Sequence, residues 1–76
     1  MIRKELASIL SLHLNTNVNE NSNIKKDDIQ IWDSLKHIEI IMSIEEHFNI
    51  SFRPEDIPFL TSQDKIVKYI EDIKNV

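Results

Sequence analysis

The sequence predicts an all-α protein, and three observations carry that prediction. There is no glycine, and the two prolines are Pro54 and Pro58. This removes the residues that tight hairpin turns and Gly-rich phosphate loops favour. Leu, Ile, Glu and Lys, good helix formers or core residues, are abundant. Apolar residues also recur at helical spacing in separate stretches.

The chain has 76 residues. A second core would need about 50 residues of its own, so residues 1–76 read as one domain. A domain this small buries only about 60% of the surface its unfolded chain exposes, and a deep enzymatic cleft is not expected. With no cysteine, there is neither a disulfide framework nor a thiolate metal site, and a cytoplasmic protein is the natural reading. Any thiol chemistry would need an attached sulfur. No stretch approaches the roughly 18–20 apolar residues of a membrane span, and Met1–Glu5 lacks a signal-peptide pattern. The net charge of −4 disfavours nucleic acid, which wants a basic face.

The first helix is expected over residues 2–14, with Ile2, Leu6, Ile9, Leu10 and His13 on one face. Asn15, Asn17, Asn19, Asn21 and Asn23 then occupy every second position. Asn competes with the backbone for hydrogen bonds, so residues 15–33 read as a long loop pinned by Val18, Ile24, Ile29, Ile31 and Trp32. A calcium loop would also use such oxygens, but the turn glycine and the terminal bidentate Glu are missing.

The second helix is expected over 34–48, with Asp33 as its N-cap. On a helical wheel Ile40, Ile41, Ile44 and Phe48 form a broad core face. Leu35, Ile38 and Met42 form a second stripe flanked by Glu39 and Glu46, which is a candidate partner surface unless the loop covers it. A short helix is expected over 54–59, with Pro54 at its first position and Pro58 ending it. The last helix is expected over 62–74, opened by a Thr61–Asp64 capping box. Ile66, Val67, Ile70 and Ile73 form its apolar face, and Lys74 sits at the negative end of its dipole. Trp32 reads as a loop anchor, Tyr69 as a residue with a wet hydroxyl, and Phe59 as a core plug.

Asp33-Ser34-Leu35 is the tripeptide with chemical interest. A serine at a loop-to-helix junction exposes its hydroxyl. A phosphodiester there would lie beside free backbone N–H groups and the positive end of the dipole. Asp and Ser are also ordinary helix-start residues, so the context matters. That context is the run from Trp32 to Ile50: Asp-Ser-Leu, two variable residues, Ile38, Glu39, Ile40, Ile41, Met42, then Glu45 and Glu46 before Phe48. With Phe52, Thr61-Ser62 and the Ile66, Val67, Tyr69, Ile70 pattern, it resembles the acyl carrier protein family over residues 24–73.

The resemblance implies a four-helix bundle of three long helices and a short third one, with a long first loop. It implies that Ser34, next to Asp33, receives 4′-phosphopantetheine from coenzyme A through a phosphopantetheinyl transferase. The arm's thiol would carry acyl groups as thioesters to acyl-loading, acyl-transferring or synthase enzymes. It further implies a monomer that catalyses nothing by itself. Its docking surface would use Leu35, Lys36, His37, Ile38, Glu39, Met42 and Glu46, with Asp56 from the short helix. Several positions depart from the housekeeping fatty-acid carrier. Ile31-Trp32 replace Gly-x before the motif, Lys36 and His37 replace an acid after it, and Pro58 and Phe59 replace charges. A specialised stand-alone carrier is therefore expected, since charge complementarity sets partner choice.

Other readings stay open. The cargo could be an amino acid, as in peptidyl or D-alanyl carriers, or the chain could be an unmodified helical interaction module. A Ser34–His37–Asp33 catalytic reading lacks a separate orienting acid and an oxyanion hole; His37 reads more simply as solvated or partner-facing. His13, His37 and His47 lack metal-ligand spacing.

Overall fold

The computed structural model describes residues 2–75. Three α-helices form the frame: α1 (Ile2–Leu14), α2 (Ser34–Phe48) and α3 (Gln63–Lys74). Single 3₁₀ turns stand at Lys26–Asp28 and Ile57–Phe59. The only extended pairing among the described residues is one antiparallel bridge between Lys25 and Ser62. The protein is thus all-helical, with α1 packed against both α2 and α3.

One core runs through all three helices. Leu6, Leu10 and Leu14 of α1 meet Ile40, Ile41, Ile44 and Phe48 of α2 and Ile66, Val67 and Ile70 of α3. The connectors add Val18, Trp32, Phe52 and Leu60. Fully burying a side chain of this size stabilises by about 1.5–3 kcal/mol each. Ile73 and Ile31, expected to face inward, are instead 43% and 44% exposed. Ile73 lies in the last turn of α3, and Trp32 takes the core position beside Ile31.

With no glycine available, asparagine ends the helices. Asn15, Asn49 and Asn75 follow α1, α2 and α3 with φ of 51°, 56° and 59°. Asn tolerates this left-handed conformation better than other residues with a Cβ. The Asn49 N–H donates to the Glu45 carbonyl, and the Asn75 N–H to Glu71.

The first connector is tied down by polar contacts rather than apolar ones alone. Gln63, fully buried at the start of α3, donates to the Asn19 carbonyl at 2.9 Å and accepts from the Ser22 hydroxyl at 2.7 Å. Its backbone N–H donates to the Ile24 carbonyl at 2.9 Å. Ser11 brackets Val18, accepting from its N–H and donating to its carbonyl. Arg3 reaches from α1 to the Glu20 carbonyl and pairs with Asp64.

The second connector differs from its sequence expectation. Residues 54–56 form turns, and Ile57–Phe59 is one 3₁₀ turn with Pro58 inside it rather than after it. An α-helix here would need a Pro58 N–H to bond the Pro54 carbonyl, and proline has none. The segment instead makes i→i+3 bonds, Phe59 N–H to Asp56 at 3.0 Å and Leu60 N–H to Ile57 at 3.2 Å. Leu60 takes the core place and leaves Phe59, expected as the plug, 71% exposed.

The cap of α3 is also displaced by one residue. Ser62, not Thr61, is the N-cap, and its hydroxyl accepts from the Lys65 N–H. The Asp64 N–H is taken by the Asn23 side chain at 2.9 Å, so no Thr61–Asp64 box forms. Among the described residues no helix is long and apolar enough to cross a membrane.

Candidate functional site

Asp33 turns the chain from loop to helix. Its backbone is extended, with φ −91° and ψ −172°, and its carboxylate accepts from the Lys36 N–H at 2.8 Å. Its carbonyl accepts the first intrahelical bond, from the His37 N–H at 2.8 Å. Ser34 is therefore the first residue of α2, and it is exposed. The leading N–H groups of a helix have no intrahelical acceptor, and they add a partial positive charge around this hydroxyl. The local geometry suits an anionic substituent on Ser34.

Beyond Ser34 the structure gathers most of the expected partner residues on one surface. Leu35, Ile38 and Met42 are 71%, 47% and 62% exposed, so neither the loop nor the 3₁₀ turn covers them. Glu39 and Glu46 are exposed alongside. Lys36 and Glu39 form an ion pair at 3.0 Å, so one of the acids carries its own counter-charge. Across the seam with α1, His13 is half-buried and hydrogen-bonded to Ser43 at 2.7 Å.

Two expected members are placed differently. His37 is 5% exposed, neither solvated nor partner-facing. Its imidazole lies stacked on Trp32 with ring centroids 6.0 Å apart. The Trp32 indole N–H donates to His37 Nδ1 at 3.0 Å, and His37 Nε2–H donates to the Ile57 carbonyl at 2.8 Å. A donor on one side and an acceptor on the other select the Nε2–H tautomer. Both ring nitrogens are thereby engaged, and the Asp33 carboxylate is engaged as a cap. A Ser34–His37–Asp33 relay has no geometric support.

Asp56 is half-buried and accepts from the Tyr69 hydroxyl at 2.7 Å, while Tyr69 Oη accepts from the Arg53 N–H at 3.3 Å. The tyrosine hydroxyl is thus bonded within the protein rather than wet. Partial burial, and then its bond to the Asp56 carboxylate, push the Tyr69 phenol above its ordinary range. At the far end of α2, a hydrogen bond from His47 at 2.9 Å holds the Glu5 carboxyl below its ordinary range.

Sequence reasoning finds Trp32 as an anchor but not its pairing with His37, and it misses Gln63. The signal for the first is a Trp and a His five residues apart across a helix start. For the second, nothing in the local pattern separates Gln63 from a solvated first-turn residue.

Comparison with known proteins agrees with the geometry. No family model matches the chain. The chain is 36% identical over 73 residues to the acyl carrier protein of Buchnera aphidicola subsp. Schizaphis graminum, an alignment covering 93% of this chain and 91% of that protein. It is 45% identical over 42 residues to the acyl carrier protein of Helicobacter pylori, covering 55% of this chain and 54% of the other. With an all-helical frame, an exposed serine opening its second helix, and a relative matched along nine-tenths of its length, this chain belongs to the acyl carrier protein family.

Proposed function

We propose that this protein carries acyl groups on a 4′-phosphopantetheine arm attached to Ser34 and presents them to partner enzymes docked on α2. The observation that carries this reading is the exposed Ser34 at the first position of α2, beside a capped N-terminus and an uncovered apolar stripe. The exposed hydroxyl leaves room for a bulky substituent, and the N-terminal dipole favours the negative phosphodiester. In the attachment step Ser34 Oγ attacks the β-phosphorus of coenzyme A. The bond to adenosine 3′,5′-bisphosphate breaks, and the transferase removes the hydroxyl proton. When bound, the arm supplies the thiol that this Cys-free chain lacks. The chain's own residues hold the attachment point and offer the docking face; they perform no catalysis.

The Lys36–Glu39 pair supports a specialised carrier. It lowers the negative charge that a fatty-acid synthase partner with a basic patch would meet, and so weakens that encounter. A cytoplasmic monomer is the simplest state for such a role. The test is intact mass after incubation with coenzyme A, magnesium and a broad-specificity phosphopantetheinyl transferase. We expect one phosphopantetheinyl group on the wild type and none on Ser34→Ala. A folded wild type that gains nothing would favour the unmodified interaction module, and an aminoacyl group on protein purified from its source would favour the peptidyl or D-alanyl type.

A further inference from the structure

We propose that the buried Trp32–His37 pair stoppers the bundle beside Ser34, so that the acyl group stays outside the helices. Resting on the carrier reading above, this closure sets the class of cargo: short or polar acyl groups, which gain little from burial.

Trp32 lies two residues before Ser34 and is 2% exposed. His37 lies three residues after it, on the same side of the helix. An alkyl chain running inward on the Trp32–His37 side of α2 would have to part α2 from residues 53–60. That segment is fastened on both sides. The His37–Ile57 bond joins it to α2, and the Tyr69 bonds to Asp56 and Arg53 join it to α3. Trp32 belongs to the same core cluster as Ile40, Ile41 and Leu60, all buried. Cores pack at crystal density, so a chain cannot enter without displacing these groups. Displacement would leave the indole N–H and the imidazole without their partners, a cost that opposes opening. Outside, Leu35, Ile38 and Met42 already offer an exposed apolar surface beside Ser34.

The experiment loads the wild type with acetyl-, butyryl-, hexanoyl- and octanoyl-coenzyme A using the same transferase, with intact mass confirming each product. Thioester cleavage by hydroxylamine is then timed against the matching free acyl-pantetheine. A buried chain would gain up to about fourfold protection per methylene, whereas we expect the rate ratio to stay within about twofold across the series. Emission from Trp32, the one tryptophan, should not change with chain length. Protection that climbs with length, or a Trp32 shift that grows with it, overturns the stopper and leaves the carrier role intact. Failure to load at Ser34 overturns the carrier reading, and the stopper with it.

Discussion

On one side of α2, Ile40, Ile41, Ile44 and Phe48 are at most 6% exposed; on the other, Leu35, Ile38 and Met42 are 47–71% exposed. Residue type does not separate the two faces, because both are built from large apolar side chains. Position does: the first face joins the core shared with α1 and α3, and the second is left facing solvent. Each residue of the second face forgoes part of the about 1.5–3 kcal/mol that full burial would supply. Folding alone gives no reason to line up three such residues beside an exposed serine. One helix thus carries two apolar faces, a structural wall and an exposed stripe that the proposed function makes a docking surface, and substitutions should sort the same way.

The largest effect is expected on the wall. Ile44→Ala empties a fully buried site and should cost about 2–5 kcal/mol, seen as a lowered Tm or urea midpoint. In a domain this small each kcal/mol moves Tm by about 4–8 °C. Loss of less than about 1 kcal/mol would mean that the wall is looser than described.

A smaller effect is expected where the second connector joins α3. Tyr69→Phe removes the bond to Asp56 and should cost about 0.5–1.5 kcal/mol at neutral pH. The pH dependence follows from the sign of the shift. The Tyr69 phenol is raised in the folded state, so its contribution is fully present below the unfolded value of about 10. That contribution is lost as pH rises through the higher folded value. Tyr69 is the only tyrosine, so tyrosinate absorbance follows it directly. The native midpoint should lie above that of the urea-unfolded chain, and Tyr69→Phe should flatten the alkaline fall in stability.

The three helices and the core face of α2 were legible from apolar spacing, because period 3.6 reports burial wherever a helix packs on one side. The place of Ser34 at an exposed helix start was legible from the Asp33 cap beside it. The connectors were less so, since their contacts are long-range. Gln63 reaches back 44 residues to Asn19, and His37 reaches forward 20 residues to Ile57; neither pairing leaves a periodic trace. Phe59 and Leu60 are adjacent apolar residues of which one is buried, and the 3₁₀ geometry imposed by Pro58 decides which. His37 reads as surface in the sequence because Lys36 precedes it and Glu39 follows two residues later. It is inside because Trp32 supplies a donor and the Ile57 carbonyl an acceptor at the right distances.

The smallest stability effect is expected on the exposed apolar stripe of α2. Ile38→Ala and Met42→Ala should each change folding stability by less than about 0.5 kcal/mol, because both are surface positions outside the core and alanine favours the helix. The decisive measurement is kcat/KM for phosphopantetheinylation of Ser34 in these two variants, taken beside their Tm. The account predicts a fall of about fivefold or more at unchanged Tm, as truncating an apolar anchor in an interface costs about 1 kcal/mol or more. Unchanged kcat/KM in both variants would contradict it, and would make the exposed stripe of α2 no part of the surface by which Ser34 is recognised.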